Sequence, residues 1–229
     1  MERLHRPSGI LTGIKLANFK CHKETPEIEL APLTLLVGPN SSGKSALIQP
    51  LLILKQTFDP LASSVAPIML NGNYVDLGAF GDIIYGHELQ KNLEVKVKIE
   101  VLTEFLRIPS RTRLILKKMK LNKIRIDYSF QVKYSEDQKK MILSDVSLSS
   151  EIFKFNLDPK RMILRAEIFG KKSKATERPL REQNLKGLMN AIPFWIRRPV
   201  VAEGMIREID WATYFVIRRI MESITATIE

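Results

Sequence analysis

The stretch TLLVGPNSSGKSALIQPLLILKQ, residues 34–56, decides the reading of this chain. Gly38, Gly43, Lys44 and Ser45 satisfy the spacing G-x-x-x-x-G-K-[ST], with an apolar run before it and a helical pattern after it. Glycines let a backbone wrap closely around phosphate oxygens, and successive N–H groups at a helix N-terminus receive negative charge. In that geometry Lys44 reaches the β- and γ-phosphates and the Ser45 hydroxyl binds Mg²⁺. From ordinary residue frequencies a chance match in a chain of this length arises roughly once in a hundred. The strand-then-helix context disfavours a glycine-serine turn with an incidental lysine still further. The expected site is therefore Gly38, Pro39, Asn40, Ser41, Ser42, Gly43, Lys44, Ser45 and Ala46, holding ATP, with Ser45 on the metal ion.

Working outward, Gly13–Phe19 and Glu27–Gly38 read as strands, and the continuous apolar run Leu33–Val37 predicts one buried on both faces. Gly43 to about Gln56 predicts a helix, kinked where Pro50 removes a backbone donor. After a loop region at 71–88 the period changes to two. Leu93, Val95, Val97, Ile99 and Val101 alternate with charged residues, and Ile124, Ile126, Tyr128, Phe130, Val132 and Tyr134 do the same. Shorter strands are expected near Val146–Leu148, Ile152–Leu157 and Met162–Phe169, with turn chemistry in SEDQKK and DPKR between them. The pattern predicts a half-buried antiparallel meander. Residues 170–183 read as a connector, and Met205, Ile209, Ala212, Val216 and Ile220 fall on one helical stripe.

Composition bounds the rest. The chain has 229 residues, 45% of them hydrophobic, and a formal net charge of +11. That charge favours a polyanionic partner, nucleic acid before membrane. No apolar run approaches the ~20 residues of a membrane span, and no secretory pattern opens the chain. A single cysteine, Cys21, excludes an internal disulfide framework, and a cytoplasmic location is expected. His5, His22 and His87 are scattered, and Cys21-His22 reads as a strand end rather than a metal site. Between Arg107 and Arg125 the stretch RIPSRTRLILKKMKLNKIR holds eight basic residues and no acidic one. On a strand ribbon half of these would form one positive face, suited to nucleic-acid phosphates; a solvated sheet face is the alternative. Aromatics are sparse there, so base stacking has little support.

The order of P-loop followed by meander departs from small-molecule kinases and GTPases, which continue with a parallel βαβ series. It resembles the ABC-type ATPase heads of the SMC, RecF and OLD (overcoming lysogenisation defect) group, among predicted AAA-type ATPases. The resemblance is carried by IKLANFKCHKETPEIELAPLTLLVGPNSSGKSALIQPLLILKQ, with its strand ending in Asn-Phe-Lys, and by VDLGAFGDIIYGHELQKNLEVKVKIE. Asn40 in the third loop position is typical of that branch. The resemblance implies an α/β P-loop NTPase: an ABC-ATPase-like lobe at 1–182 with a central sheet and an antiparallel β-meander subdomain, then the start of a helical lobe at 183–229. It also implies a place for Lys20 near the nucleotide, and DNA-linked or defence work.

Heads of that group hydrolyse ATP between two copies and resemble one another in four further parts. These are a glutamine loop, a serine-glycine signature helix, an apolar strand ending in Asp-Glu, and a switch histidine. MILSD (141–145) lacks the glutamate, SLSSE (147–151) lacks the glycine, and Gln131 and Gln183 have no supporting motif. No catalytic residue is assigned. The chain is expected to bind ATP·Mg²⁺ and to need a complementing C-terminal half, as a homodimer or with another chain, before it hydrolyses. The alternative is a non-hydrolysing partner or regulatory subunit that binds nucleotide and nucleic acid.

Overall fold

The computed structural model describes residues 9–58, 66–105, 110–151, 153–158, 163–168 and 171–172. The described strands are β1 (Gly9–Phe19), β2 (His22–Glu24), β3 (Ile28–Glu29), β4 (Leu93–Leu102), β5 (Lys123–Ser135), β6 (Lys140–Ser150), β7 (Phe153–Asp158), β8 (Ile163–Ile168) and β9 (Lys171–Lys172). The helices are α1 (Lys44–Phe58), α2 (Phe80–Ile83) and α3 (Ser110–Lys118), with 3₁₀ turns at Tyr85–His87 and Thr103–Phe105. All the strands lie in one sheet ordered β2-β1-β4-β5-β6-β7-β8-β9, with β3 also on β1, and every pairing is antiparallel.

The period-two sequence explains the sheet. Val95 faces Phe130, Val97 faces Tyr128 and Ile99 faces Ile126 across β4 and β5. All six side chains are buried, so one face of the sheet is continuously apolar. Burial also pushes the Tyr128 phenol far above its ordinary pKa, so it stays neutral. Ile14, Leu16 and Phe19 of β1 extend that face. Ala46, Ile53 and Leu54 of α1 belong to the same core, as do Phe80 and Ile83 of α2 and Leu116 of α3. The opposite face is polar: Lys15 pairs with Glu24 at 2.6 Å, Lys98 with Glu27 at 2.6 Å and Lys123 with Glu100 at 2.7 Å.

Helix α1 continues through Pro50, whose missing N–H leaves the Ala46 carbonyl without its helical donor. Its far end is clamped to the following loop. Gln56, buried in the core, donates through Nε2 to the Met69 carbonyl at 2.7 Å and accepts from the Tyr74 and Val75 amides at 3.3 and 3.1 Å. Thr57 accepts from the Met69 amide at 2.8 Å.

Two expectations are corrected, the buried strand at Leu33–Val37 and the basic strand ribbon. The segment Leu33–Val37 is not a buried strand: Leu33, Leu35 and Val37 are 79%, 76% and 91% exposed. An apolar run becomes a strand only when another strand pairs with it, and none among the described residues does. For the same reason no central sheet separate from the meander appears among the described residues; β1 pairs directly with β4. The basic stretch is not a strand ribbon. Its residues 110–118 form α3, where Leu116 is buried in the core and Lys117 and Lys118 occupy the last turn, complementing the helix dipole. Two smaller differences concern length: the loop region at 71–88 contains α2 and a 3₁₀ turn, and β6 runs for 11 residues rather than three. The DPKR turn beyond Asp158, most of the 170–183 connector and the whole helical stripe at 205–220 lie outside the described residues.

Candidate functional site

The loop that precedes α1 is exposed from Gly38 to Ser42, including Pro39, Asn40 and Ser41, while Ala46 is buried and fixes the start of the helix in the core. Ser41 and Gly43 both adopt positive φ, 62° and 87°, so the chain reverses twice before Lys44 begins the helix. The Ser42 amide donates to the Pro39 carbonyl at 3.4 Å. Lys44 folds back over this loop. Its ammonium donates to the Gly38 carbonyl at 2.8 Å, to the Pro39 carbonyl at 2.5 Å and to Ser42 Oγ at 3.5 Å. The first turn of α1 carries no acidic side chain, so its leading N–H groups have no carboxylate on them.

These residues fit a nucleoside triphosphate. The donor set is an ammonium, the hydroxyls of Ser41, Ser42 and Ser45, and the free amides of a helix N-terminus, with no carboxylate in residues 38–46. No cluster of three His, Cys, Asp or Glu side chains exists among the described residues. A Mg²⁺ ion commonly keeps water and phosphate oxygens as ligands, so a donor set of this kind, with the Ser45 hydroxyl at the start of α1, is compatible with one.

The turn between β1 and β2 packs against the loop from one side. Phe19 is fully buried and bridges Ile84, and the flanking Asn18 and Lys20 sit at φ 57° and 51°. Asn18 Nδ2 donates to the Asn92 carbonyl at 2.8 Å and the Lys20 amide to the Ile83 carbonyl at 2.6 Å, locking the turn. The next two residues then meet Gly43. His22 Nε2 lies 3.3 Å from the Gly43 carbonyl oxygen, and a Cβ at Gly43 would stand 2.8 Å from Cys21 Sγ. Glycine is required there twice, by its φ and by this contact. Cys21 and His22 are thus the site residues that sequence reading passed over. A lone histidine at a strand end gives no local signal of a neighbour 21 positions away.

The remaining candidates do not converge on the loop. MILSD and SLSSE both begin within β6 of the meander, with Asp145 accepting from Asn156 Nδ2 at 3.4 Å. Gln131 lies on β5, where Asn92 Nδ2 donates to it at 3.3 Å. His87 Nδ1 is 2.7 Å from the Gly81 carbonyl oxygen. His5 and Gln183 lie outside the described residues. On α3 and the turn after it, Lys117, Lys118 and Lys120 are exposed and in no ion pair among the described residues. No described helix is long and apolar enough to cross a membrane.

The family model described as "AAA ATPase domain" matches residues 10–196. A comparison with curated proteins returns no match.

Proposed function

We propose, for a chain that belongs to the AAA ATPase domain family, that it is the ATP·Mg²⁺-binding portion of an ABC-type head of the SMC, RecF and OLD kind. Its hydrolysis requires a complementing C-terminal half. In this reading the amides of Asn40 to Ala46 hold the phosphates together with Gly38 and Pro39 of the turn, Lys44 neutralises them, and Ser45 orients Mg²⁺. The bound Mg²⁺·ATP supplies the phosphoanhydride bond to be broken and the cation that offsets its charge. The lobe comprises residues 1–182, and 183–229 begin a helical lobe.

One observation carries the need for complementation: Leu33, Leu35 and Val37, which lead straight into Gly38, are almost wholly exposed. Burying one such side chain is worth about 1.5–3 kcal/mol, so an added strand gains a substantial apolar contribution here. Strand addition also satisfies open backbone groups. A strand seated on 33–37 and ending in Asp-Glu brings a carboxylate next to Ser45, a group that residues 38–46 lack. That group orients the attacking water. The test is steady-state ATP hydrolysis by the purified chain with a Lys44→Ala control. Mg²⁺-dependent binding without turnover, abolished in the control, supports the reading. Turnover by the chain alone, lost in the control, sinks the complementation.

A second reading, a non-hydrolysing subunit that binds nucleotide and nucleic acid, is favoured by the exposed Lys117, Lys118 and Lys120, which form no ion pair among the described residues. It also accommodates DNA-linked or defence work. Failure of every supplied Asp-Glu strand to restore turnover, with ATP binding intact, selects it.

A further inference from the structure

Nucleotide binding leaves one feature of the site unused: the Cys21–His22 turn pressed against the glycine that opens α1. We propose that His22 is a positioning residue for the phosphate loop and that the β1–β2 turn acts as the wedge that sets the loop's shape; this rests on the nucleotide-binding reading of residues 38–46.

The geometry is specific. A carbonyl oxygen only accepts, so the 3.3 Å contact makes His22 Nε2–H the donor and Gly43 the acceptor. The Gly43 carbonyl belongs to the peptide whose amide is that of Lys44, the first residue of α1. Holding that carbonyl against the turn fixes the plane of the peptide, and with it the direction of the Lys44 N–H. At φ 87° Gly43 has no side chain with which to resist rotation of that peptide, so the restraint has to come from outside the loop. Cys21 Sγ blocks movement on the same side, 2.8 Å from where a Cβ would stand. The wedge itself is rigid, because Phe19 is fully buried and the Lys20 amide is bonded to Ile83. Preorganising an anion site lowers the ordering cost of binding.

Binding of a fluorescent ATP analogue with Mg²⁺ is measured for the full chain and for Lys44→Ala, His22→Leu and His22→Gln, with a thermal melt of each. The glutamine amide carries a donor close to the position of Nε2. Loss of one such hydrogen bond predicts roughly five-fold weaker binding for His22→Leu, with recovery in His22→Gln and melts unchanged. His22→Leu binding as tightly as wild type, while Lys44→Ala does not bind, overturns the positioning role and leaves the site reading intact. Retained binding in Lys44→Ala overturns both.

A second measurement avoids variants that fail to fold. Cys21 is the only thiol in the chain, so methylthiolation is site-specific and its extent is read by mass. Cys21 is exposed, so the reagent reaches it, and the added S–CH₃ enlarges the side chain that abuts Gly43; modified protein is expected to bind the analogue more weakly and to recover on reduction. Fully modified protein that binds as tightly as unmodified protein overturns the wedge.

Discussion

The Lys44 ammonium donates across 2.5 Å to the carbonyl oxygen of Pro39, five residues earlier in the loop that the lysine itself closes. With the Gly38 carbonyl at 2.8 Å, the cation is satisfied by backbone dipoles and keeps the loop wound around the space that phosphate would take. An incoming anion exchanges neutral acceptors for charged ones, adding direct attraction between opposite charges to bonds that the ammonium already makes. Lys44→Ala is therefore expected to weaken ATP binding about ten-fold to a hundred-fold, the range for a hydrogen bond to a charged group. Since the loop is exposed, the urea midpoint should stay nearly unchanged. A variant that unfolds at clearly lower urea would place Lys44 in the fold rather than the site.

Much of this was legible from residues 93–134 and 38–45. Alternation along Leu93–Val101 and Ile124–Val132 names the buried face of each strand because side-chain direction in a strand has period two. The P-loop is legible because its chemistry fixes spacing locally. Leu33–Val37 was not, since apolarity states a preference for burial and says nothing of whether a covering strand exists. In α3 the three consecutive apolar residues Leu114–Leu116 fit either period, and only the packing of Leu116 resolves them. The His22–Gly43 contact depends on how β1, β2 and α1 come together, which no local pattern carries.

Acid should loosen β2 before the core. The hydrogen bond from Lys15, and then its charge, hold the Glu24 carboxyl below its ordinary pKa of 4.5. A lowered folded pKa means that the stability from this pair is fully present above about pH 4.5 and is lost as pH falls through the folded value. The same bond raises Lys15 above 10.5, so its contribution is present below that pH and lost only on strong alkalinisation. Glu24 is exposed and Lys15 only half-buried, so the effect is small and salt-sensitive. Comparing urea midpoints of wild type and Glu24→Gln from pH 7 down to pH 3 should show a modest gap that closes with acid. A gap that widens with acid would reverse the sign argued here.

On α3 and its following turn, Lys117, Lys118 and Lys120 should act as phosphate contacts if nucleic acid is a partner. Each neutralised phosphate on duplex DNA contributes about 0.9 to the slope of log affinity against log salt. Replacing all three with glutamine should lower that slope by about 2–3 and weaken binding evenly across sequences. Lys96 and Lys98 on the sheet's polar face are paired with Glu94 and Glu27, so Lys96→Gln, Lys98→Gln should leave the slope nearly unchanged. Equal losses from both sets would mean that the chain binds polyanions through net charge, with no surface of its own for them.

The exposed run before the P-loop gives opposite expectations for the chain alone and for its assembly. Leu35 is 76% exposed and Val37 91%, so charged replacements remove little that is buried. Leu35→Lys, Val37→Lys should leave the unfolding free energy, read from urea titration, within about 0.5 kcal/mol of wild type, the range for surface substitutions. Self-association, read by sedimentation, should fall, because an open apolar edge is a template for pairing and lysine blunts it. ATP binding at residues 38–46 should persist, while turnover gained on adding a complementing Asp-Glu strand should disappear. Were the double variant instead to unfold, residues 33–37 would be covered in solution by part of this same chain, and complementation from outside would lose its docking site.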